Sequence, residues 1–152
     1  MDLLALHAKI MDELRARNIV RSSNNPVGDV AETLFCRAFG WKQSGNSSRS
    51  VDAIGRGGKR YQIKGRRLSR LNASRQMSAI RNLDGAPFDF LAGVLFAADY
   101  TILRAAIIPA AVVAERASFV KHTNSHRFLL RDDVWTARGV RDVTEELKAV
   151  MI

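Results

Sequence analysis

Two apolar segments separated by a short polar one constrain the fold of this chain more than any other feature. The first, Phe88–Phe96, is a nearly continuous apolar run, and the second is Ile102–Ile108. A strand that is apolar on both faces must be covered on both faces, because only burial removes both sets of side chains from water. The two segments therefore predict neighbouring strands inside a sheet that has a layer on each side.

Amphipathic patterns at helical spacing would supply those layers, and Gly40 ends one of them. Helices are predicted at residues 2–17, from Pro26 or Gly28 to Phe39, at residues 69–83, from Pro109 to about Arg116, and from the capping-box sequence at 142–145 to Val150. Together with the strands, these patterns predict an α/β fold.

Shorter strands are predicted at residues 50–54, 60–65 and 127–130. The glycine-rich sequence 55–58 is typical of a hairpin turn, and the polar residues 43–50 are expected to form a flexible loop. Because no repeat, low-complexity segment or linker divides residues 1–152, we expect a single domain. The helix at 2–17 would be an addition to its core.

Charge is the first indication of a binding partner. The sequence has 24 Lys and Arg against 15 Asp and Glu, which gives a formal net charge of +9. One stretch has cations and no acidic residue, and its members are Arg56, Lys59, Arg60, Lys64, Arg66, Arg67, Arg70, Arg75 and Arg81. So one-sided a stretch favours a surface that binds the phosphates of DNA, with a generally basic surface as the alternative.

The single cysteine, Cys36, excludes an intramolecular disulfide and argues against a cysteine-based zinc site. Charged residues interrupt the first apolar stretch, so no secretory signal is predicted. The longest apolar run is too short to cross a bilayer. These features predict a soluble, cytoplasmic protein with no membrane partner.

Residues 51–67 hold the side chains best suited to chemistry. Side chains alternate along a strand, so Gln62 and Lys64 share one face, while Ile63 points to the other. The glycine-rich turn folds the preceding strand back, which brings Asp52 towards Gln62 and Lys64. In the alternative interpretation, Asp52 forms an ion pair with a neighbouring arginine, and Gln62 and Lys64 belong to an ordinary solvated strand face.

These groups match the needs of Mg²⁺, which prefers oxygen ligands and keeps several waters. Asp52 offers a carboxylate, Gln62 an amide oxygen and Ile63 a backbone carbonyl. Lys64 is a compact cation on a flexible stem, able to touch a scissile phosphate or orient an attacking water. The residues therefore predict metal-assisted hydrolysis of a phosphodiester.

An Asp, a short hairpin and then Gln-x-Lys, preceded by a helix bearing Glu32, resembles the PD-(D/E)xK nuclease superfamily. The motif is particularly similar to Mrr-type restriction endonucleases, and residues 28–41 with the serine-rich loop after them are similar to archaeal Holliday-junction resolvases. The resemblance implies a restriction-endonuclease-like core, a central mixed β-sheet flanked by helices. It also implies a Mg²⁺-dependent site, which Mn²⁺ can occupy, with Asp52, Gln62, Lys64 and Glu32 as catalytic residues and Glu32 assisting as a ligand directly or through water.

The resemblance also relates Ser44, Ser47 or Ser48 to the loop serine of the resolvases. The sequence departs from the superfamily pattern at two positions: Val51 stands where proline usually precedes the aspartate, and Gln62 replaces a carboxylate. The second departure removes a negative charge, so metal binding is expected to be weaker than in acidic versions.

The resulting prediction is a DNA endonuclease of restriction or repair type, and a two-fold homodimer would let it cut both strands. The residues expected to bind nucleic acid are Arg56, Lys59, Arg60, Arg66, Arg67, Arg70 and Arg75. Two alternatives stay open: a non-catalytic nucleic-acid-binding module on the same fold, and an enzyme that recognises branched junctions. His122 and His126 are interpreted as ordinary surface residues, and Trp41 and Trp135 as part of the core or its edge.

Overall fold

The computed structural model describes residues 2–45 and 50–151, and these residues form a mixed α/β structure. Its helices are α1 (Leu3–Ala16), α2 (Val27–Phe39), α3 (Ala110–Arg116) and α4 (Thr144–Lys148). Its strands are β1 (Lys42–Gln43), β2 (Ala53–Ile54), β3 (Arg60–Arg67), β4 (Phe90–Phe96), β5 (Ile102–Pro109), β6 (Ser118–Val120), β7 (Ser125–Arg127) and β8 (Arg141–Asp142).

Six of the strands form one mixed sheet in the order β1-β2-β3-β4-β5-β8. Strands β3 and β4 run parallel, and every other neighbouring pair in this sheet is antiparallel. Strands β6 and β7 form a separate antiparallel hairpin. The predicted pairing of the two apolar segments is confirmed, since β4 and β5 are neighbouring antiparallel strands inside the sheet.

The core lies on both faces of the sheet, as the apolar runs predicted. Val94 and Phe96 of β4 pack in the cluster under α2 and α4, whereas Leu91 and Leu95 pack in the cluster on the opposite face. The second cluster is completed by α3 and by residues 77–83 and 128–134. Trp41 packs against the first cluster and Trp135 against the second, in agreement with their interpretation as core-edge residues.

Helix α2 lies close against β3, and this contact positions the functional site. At Gly65 an added Cβ would lie 3.0 Å from Cβ of Ala31 and 3.1 Å from Cγ1 of Val27, so any larger residue would require its neighbours to yield by a few tenths of an ångström. The helix ends at Gly40, whose φ of 66° is the left-handed conformation that glycine adopts without strain. The predicted end of this helix is confirmed.

Helix α1 is attached to this core through a small apolar cluster of Met11, Ile19 and Val20. Much of its apolar surface faces solvent, with Leu3 77 % and Leu4 79 % exposed. In residues 2–45 and 50–151, no helix is long and apolar enough to cross a membrane.

The predicted helix at residues 69–83 is wrong. The segment is largely extended, and its bridges to other parts of the chain join Gln76 to Leu129 and Ile80 to His126. The Met77 N–H donates to the Phe128 carbonyl at 2.9 Å, and the Asn72 N–H donates to the Ser69 hydroxyl at 3.1 Å. Backbone pairing and local Ser/Asn turns thus satisfy the groups that a helix would have satisfied internally.

Several other boundaries differ from the sequence-based prediction. The segment expected as a loop from residue 43 begins inside β1, which pairs with β2. The strand predicted at 127–130 is shifted towards the N-terminus, to β7. The strand predicted at 50–54 is limited to β2. Terminal α4 is confirmed but is shorter than expected.

Candidate functional site

The β2-β3 hairpin brings Asp52 to the edge of β3. Gly57 and Gly58 have φ values of 66° and 72° in the turn, which explains the need for glycine there. The Asp52 N–H donates to the Tyr61 carbonyl at 2.8 Å, and the Asp52 carboxylate accepts from the Ile63 N–H at 2.7 Å. The carboxylate is therefore fixed beside the residue that separates Gln62 from Lys64.

Strand β3 presents the other predicted groups in the expected alternation. Ile63 is buried in the cluster under α2, while Gln62 and Lys64 are in register with Leu91 and Gly93 and so belong to the opposite face. In a strand, the N–H and C=O of one residue point to the same edge. The Ile63 carbonyl therefore lies on the edge where its N–H meets Asp52.

The amide of Gln62 is the least satisfied polar group of this site. The residue is only 8 % exposed, and its Oε1 atom is buried without a hydrogen-bond partner among the described residues. Leaving a buried acceptor unpaired costs about 1–3 kcal/mol. A cation that takes oxygen ligands would satisfy this atom, so the donor set fits Mg²⁺ or Mn²⁺.

The ammonium group of Lys64 is held by the segment that follows β3. It donates to the Ser78 hydroxyl at 2.6 Å and to the Ala79 carbonyl at 3.3 Å. Burial lowers the pKa of Lys64, and the negative charge of Asp52 opposes this effect. An ammonium has three N–H donors, so one remains for a substrate oxygen or water.

Glu32 approaches the same region from α2. Its Oε2 atom accepts from the Arg21 guanidinium in an ion pair, and Oε1 has no hydrogen bond among the described residues. Burial, followed by the nearby negative charge of Asp52, raises the pKa of Glu32 to about 7, although Arg21 opposes the shift. The negative charge of Asp52 is thus near enough to Glu32 to disfavour ionisation of both carboxyl groups at once.

Arg21 is a site residue that the sequence patterns did not reveal. Its backbone N–H and that of Ser22 donate to Asp29 Oδ2 at 3.0 and 2.9 Å, and the Ser22 hydroxyl donates to the same oxygen at 2.8 Å. Asp29 thereby fixes the turn from which Arg21 reaches Glu32. No sequence signal marks Arg21, because it stands in a polar connector with no periodicity.

Carboxylates alone do not form a metal-binding cluster. In the part of the chain that the structure describes, no group of three or more His, Cys, Asp and Glu side chains could hold an ion. A metal would therefore require the Gln62 amide and the Ile63 carbonyl in addition to Asp52 and Glu32. Burial raises the pKa of Asp52, whereas the Ile63 N–H and the charge of Lys64 lower it.

A groove of about 540 Å³ runs beside the site, between the start of α2 and the second half of β3. Lys64, Arg66 and Arg67 line it. The Nε of Arg66 donates to the Ser74 carbonyl at 3.0 Å, and the Arg67 guanidinium lies 5.1 Å from the centre of the Tyr100 ring. The groove thus has a positively charged wall that leads towards Lys64.

The cations between residues 56 and 81 differ in whether a carboxylate pairs with them. Arg60 pairs with Asp89 at 3.1 Å, and Arg75 pairs with Asp132 at 2.6 Å, so carboxylates from distant parts of the chain neutralise two of the predicted phosphate-binding residues. The remaining five have no ion pair within residues 2–45 and 50–151, and they are Arg56, Lys59, Arg66, Arg67 and Arg70.

The loop serines related to the resolvases can be placed only in part. The Ser44 N–H donates to the Asp52 carbonyl at 2.9 Å, which puts Ser44 next to the site. Ser47 and Ser48 lie outside the described residues.

No protein-family model matches this chain, and no curated protein was found to be similar to it. The resemblance to the PD-(D/E)xK superfamily therefore rests on the residues of the motif and on their arrangement at the edge of β3.

Proposed function

We propose that the chain is a Mg²⁺-dependent DNA endonuclease of restriction or repair type, on a restriction-endonuclease-like core. The observation that carries the proposal is the meeting of Asp52, Gln62 and Lys64 on one hairpin, with Oε1 of Gln62 buried and unpartnered among the described residues. The mixed sheet, with helices on both faces, agrees with such a core. The absence of a helix at 69–83 is its main departure from the arrangement that we expected.

The residues that would hold the metal are Asp52, Gln62, Glu32 and Ile63 through its carbonyl. The bound ion would supply Lewis-acid stabilisation of the phosphate and a more acidic water. Lys64 would donate its remaining N–H to a non-bridging phosphate oxygen or to the attacking water. Arg21 would hold Glu32 in place and limit the repulsion between Glu32 and Asp52.

The groove beside the site would guide the DNA backbone. Arg66 and Arg67 line it, and Arg70 is exposed nearby in sequence, so phosphates following this wall would arrive at Lys64. Arg60 and Arg75 are expected to contribute less to DNA binding than we predicted, because they already form ion pairs with Asp89 and Asp132.

A two-fold homodimer remains part of the proposal, since one such site cuts one strand. The exposed leucines of α1 support it, because large apolar side chains on a surface favour burial against a partner. Sedimentation of the protein and of its Leu3→Glu variant would test this point. A cytoplasmic location also belongs to the proposal.

The test is nicking of supercoiled plasmid DNA by purified protein with Mg²⁺ or Mn²⁺, compared with EDTA. Lys64→Ala should abolish nicking, whereas Lys42→Ala, the same change at an exposed position of β1, should retain it. Equal nicking by the wild type and Lys64→Ala would contradict the proposal. Metal-independent DNA binding without any nicking would instead favour the non-catalytic module.

A further inference from the structure

The β6-β7 hairpin carries an exposed aromatic ring that the proposed active site does not use. Phe119 is 57 % exposed, although phenylalanine is normally buried. Its ring lies 5.3 Å from that of His126, directly across the hairpin, at an angle of 58°. The imidazole covers part of the Phe119 side chain, and the rest is exposed.

The charge around Phe119 identifies the kind of ligand. From Ala117 to Arg131 the sequence has no acidic residue. Lys121, two residues beyond Phe119, is exposed and forms no ion pair within the described ranges. An exposed aromatic ring near an unpaired cation fits a nucleic acid, whose bases stack on the ring while a phosphate meets the cation. An apolar protein partner would leave that cation buried without a counter-charge.

The hairpin is connected to the candidate active site through the segment that binds Lys64. The Lys64 ammonium contacts Ser78 and Ala79, and the next residue, Ile80, exchanges backbone hydrogen bonds of 2.8 and 3.0 Å with His126. His126 is the residue on which the Phe119 ring packs. The hairpin thus pairs with the segment that holds the Lys64 ammonium.

We infer that the β6-β7 hairpin is a second nucleic-acid contact, in which Phe119 stacks on an unpaired base while Lys121 holds a neighbouring phosphate. In a duplex, both faces of a base are covered by its neighbours, so a ring of this kind selects single-stranded DNA or an unpaired base near the cut. The inference rests on the proposed function for the identity of the polymer. It adds the substrate class: DNA with an unpaired base.

The experiment measures binding in EDTA, so that no probe is cut. A single-stranded oligonucleotide containing 2-aminopurine and the matched duplex are titrated with the full chain, and anisotropy and 2-aminopurine fluorescence are recorded. Phe119→Ala should weaken single-strand binding about tenfold or more and reduce the fluorescence change, with a much smaller effect on the duplex. Leu103→Ala, at an apolar side chain of β5 that is 44 % exposed, should bind as the wild type does.

Two replacements separate stacking from general apolar contact. Phe119→Tyr keeps a π face and should restore single-strand affinity, whereas Phe119→Leu keeps apolar area without a π face and should not. The variant Lys121→Ala leaves the ring in place. It should reduce the salt dependence of binding by roughly one unit if the removed cation had neutralised one phosphate.

Equal single-strand affinity of the wild type and Phe119→Ala would overturn the inference. Wild-type single-strand affinity of Phe119→Leu would also overturn it. If the wild type then still nicks plasmid DNA with metal, the proposed function stands without the hairpin contact. A wild type that binds neither probe overturns both. Weaker self-association of Phe119→Ala with unchanged DNA binding would assign the ring to a protein interface and also overturn the inference.

Discussion

The carboxylate of Asp52 accepts a 2.7 Å hydrogen bond from the backbone N–H of Ile63, the residue that separates Gln62 from Lys64. The bond joins the end of one hairpin strand to the middle of the next, so Asp52 has both a structural and a proposed catalytic role. The two roles can be separated, because the hydrogen bond needs only an oxygen acceptor, whereas a metal ion favours the negative charge.

We expect Asp52→Asn to fold almost as stably as the wild type and to lose nicking activity. The asparagine oxygen still accepts from the Ile63 N–H, but the negative charge is gone. Asp52→Ala should lose the same activity and, in addition, about 1–3 kcal/mol of stability, because the N–H no longer has its acceptor. Denaturant unfolding and plasmid nicking check both variants. Wild-type nicking by Asp52→Asn would show that the carboxylate is not a metal ligand.

Gln62→Glu should tighten metal binding, because it adds a carboxylate where the amide oxygen has no partner among the described residues. The metal-free variant should be less stable than the wild type, since a buried negative charge near Asp52 is unfavourable. Calorimetric titration with Mn²⁺ measures the affinity. Gln76→Glu makes the same change at an exposed position and should leave the affinity unaltered. Equal affinities of Gln62→Glu and the wild type would remove Gln62 from the ligand set.

Replacing Arg66, Arg67 and Arg70 with alanine should flatten the salt dependence of duplex DNA binding. Each phosphate contact contributes a slope of about −0.9 in log K against log salt, so the slope should change by roughly two to three units. Binding should weaken on all sequences alike, because phosphate contacts carry no base information.

The control for this variant removes the same amount of charge elsewhere. The triple change of Lys9, Arg37 and Arg138 to alanine affects exposed side chains of α1, α2 and the loop before β8. Its salt slope should match that of the wild type. If both triple variants change the slope equally, the basic surface is diffuse and the groove is not the DNA path.

Glu32 should make the metal-free protein less stable as pH rises from about 5 to 8. Its pKa is raised to about 7 in the folded chain from 4.5, so in this window the folded state binds more protons than the unfolded state. Stability therefore falls with increasing pH until Glu32 is ionised in both states. Thermal unfolding in EDTA across this range should give a steeper decrease for the wild type than for Glu32→Gln. Parallel curves would show that Glu32 titrates normally.

The sequence predicted those elements whose patterns have a single interpretation. The runs that became β4 and β5 are apolar on both faces, and Gly40 is a clear end for α2, so their placement followed from local rules. The prediction of a helix at residues 69–83 failed because Met77, Ile80 and Leu83 are three residues apart, a spacing typical of a helix face. The structure buries Met77 and Ile80 from an extended segment that pairs with residues 126–129, and Leu83 from the 3-10 turn that follows it.

The site was predictable where its residues share one hairpin, since alternation and a turn fix which side chains face one another. Arg21 could not be predicted, because its contact with Glu32 depends on the turn that Asp29 holds. The ion pairs of Arg60 and Arg75 were missed for the same reason: their carboxylates come from positions 89 and 132. Long-range pairing of charges leaves no local pattern in a sequence.

The close approach at Gly65 means that the separation of Glu32 from the β3 edge is set by van der Waals contact. Ala31, the neighbour of Glu32 in the helix, would meet a Cβ at Gly65 at 3.0 Å, tighter than atoms normally pack. A methyl group there would require the helix or the strand to yield by a few tenths of an ångström, with no ligand or charge altered. The lack of a side chain at Gly65 thus determines how closely α2 approaches β3.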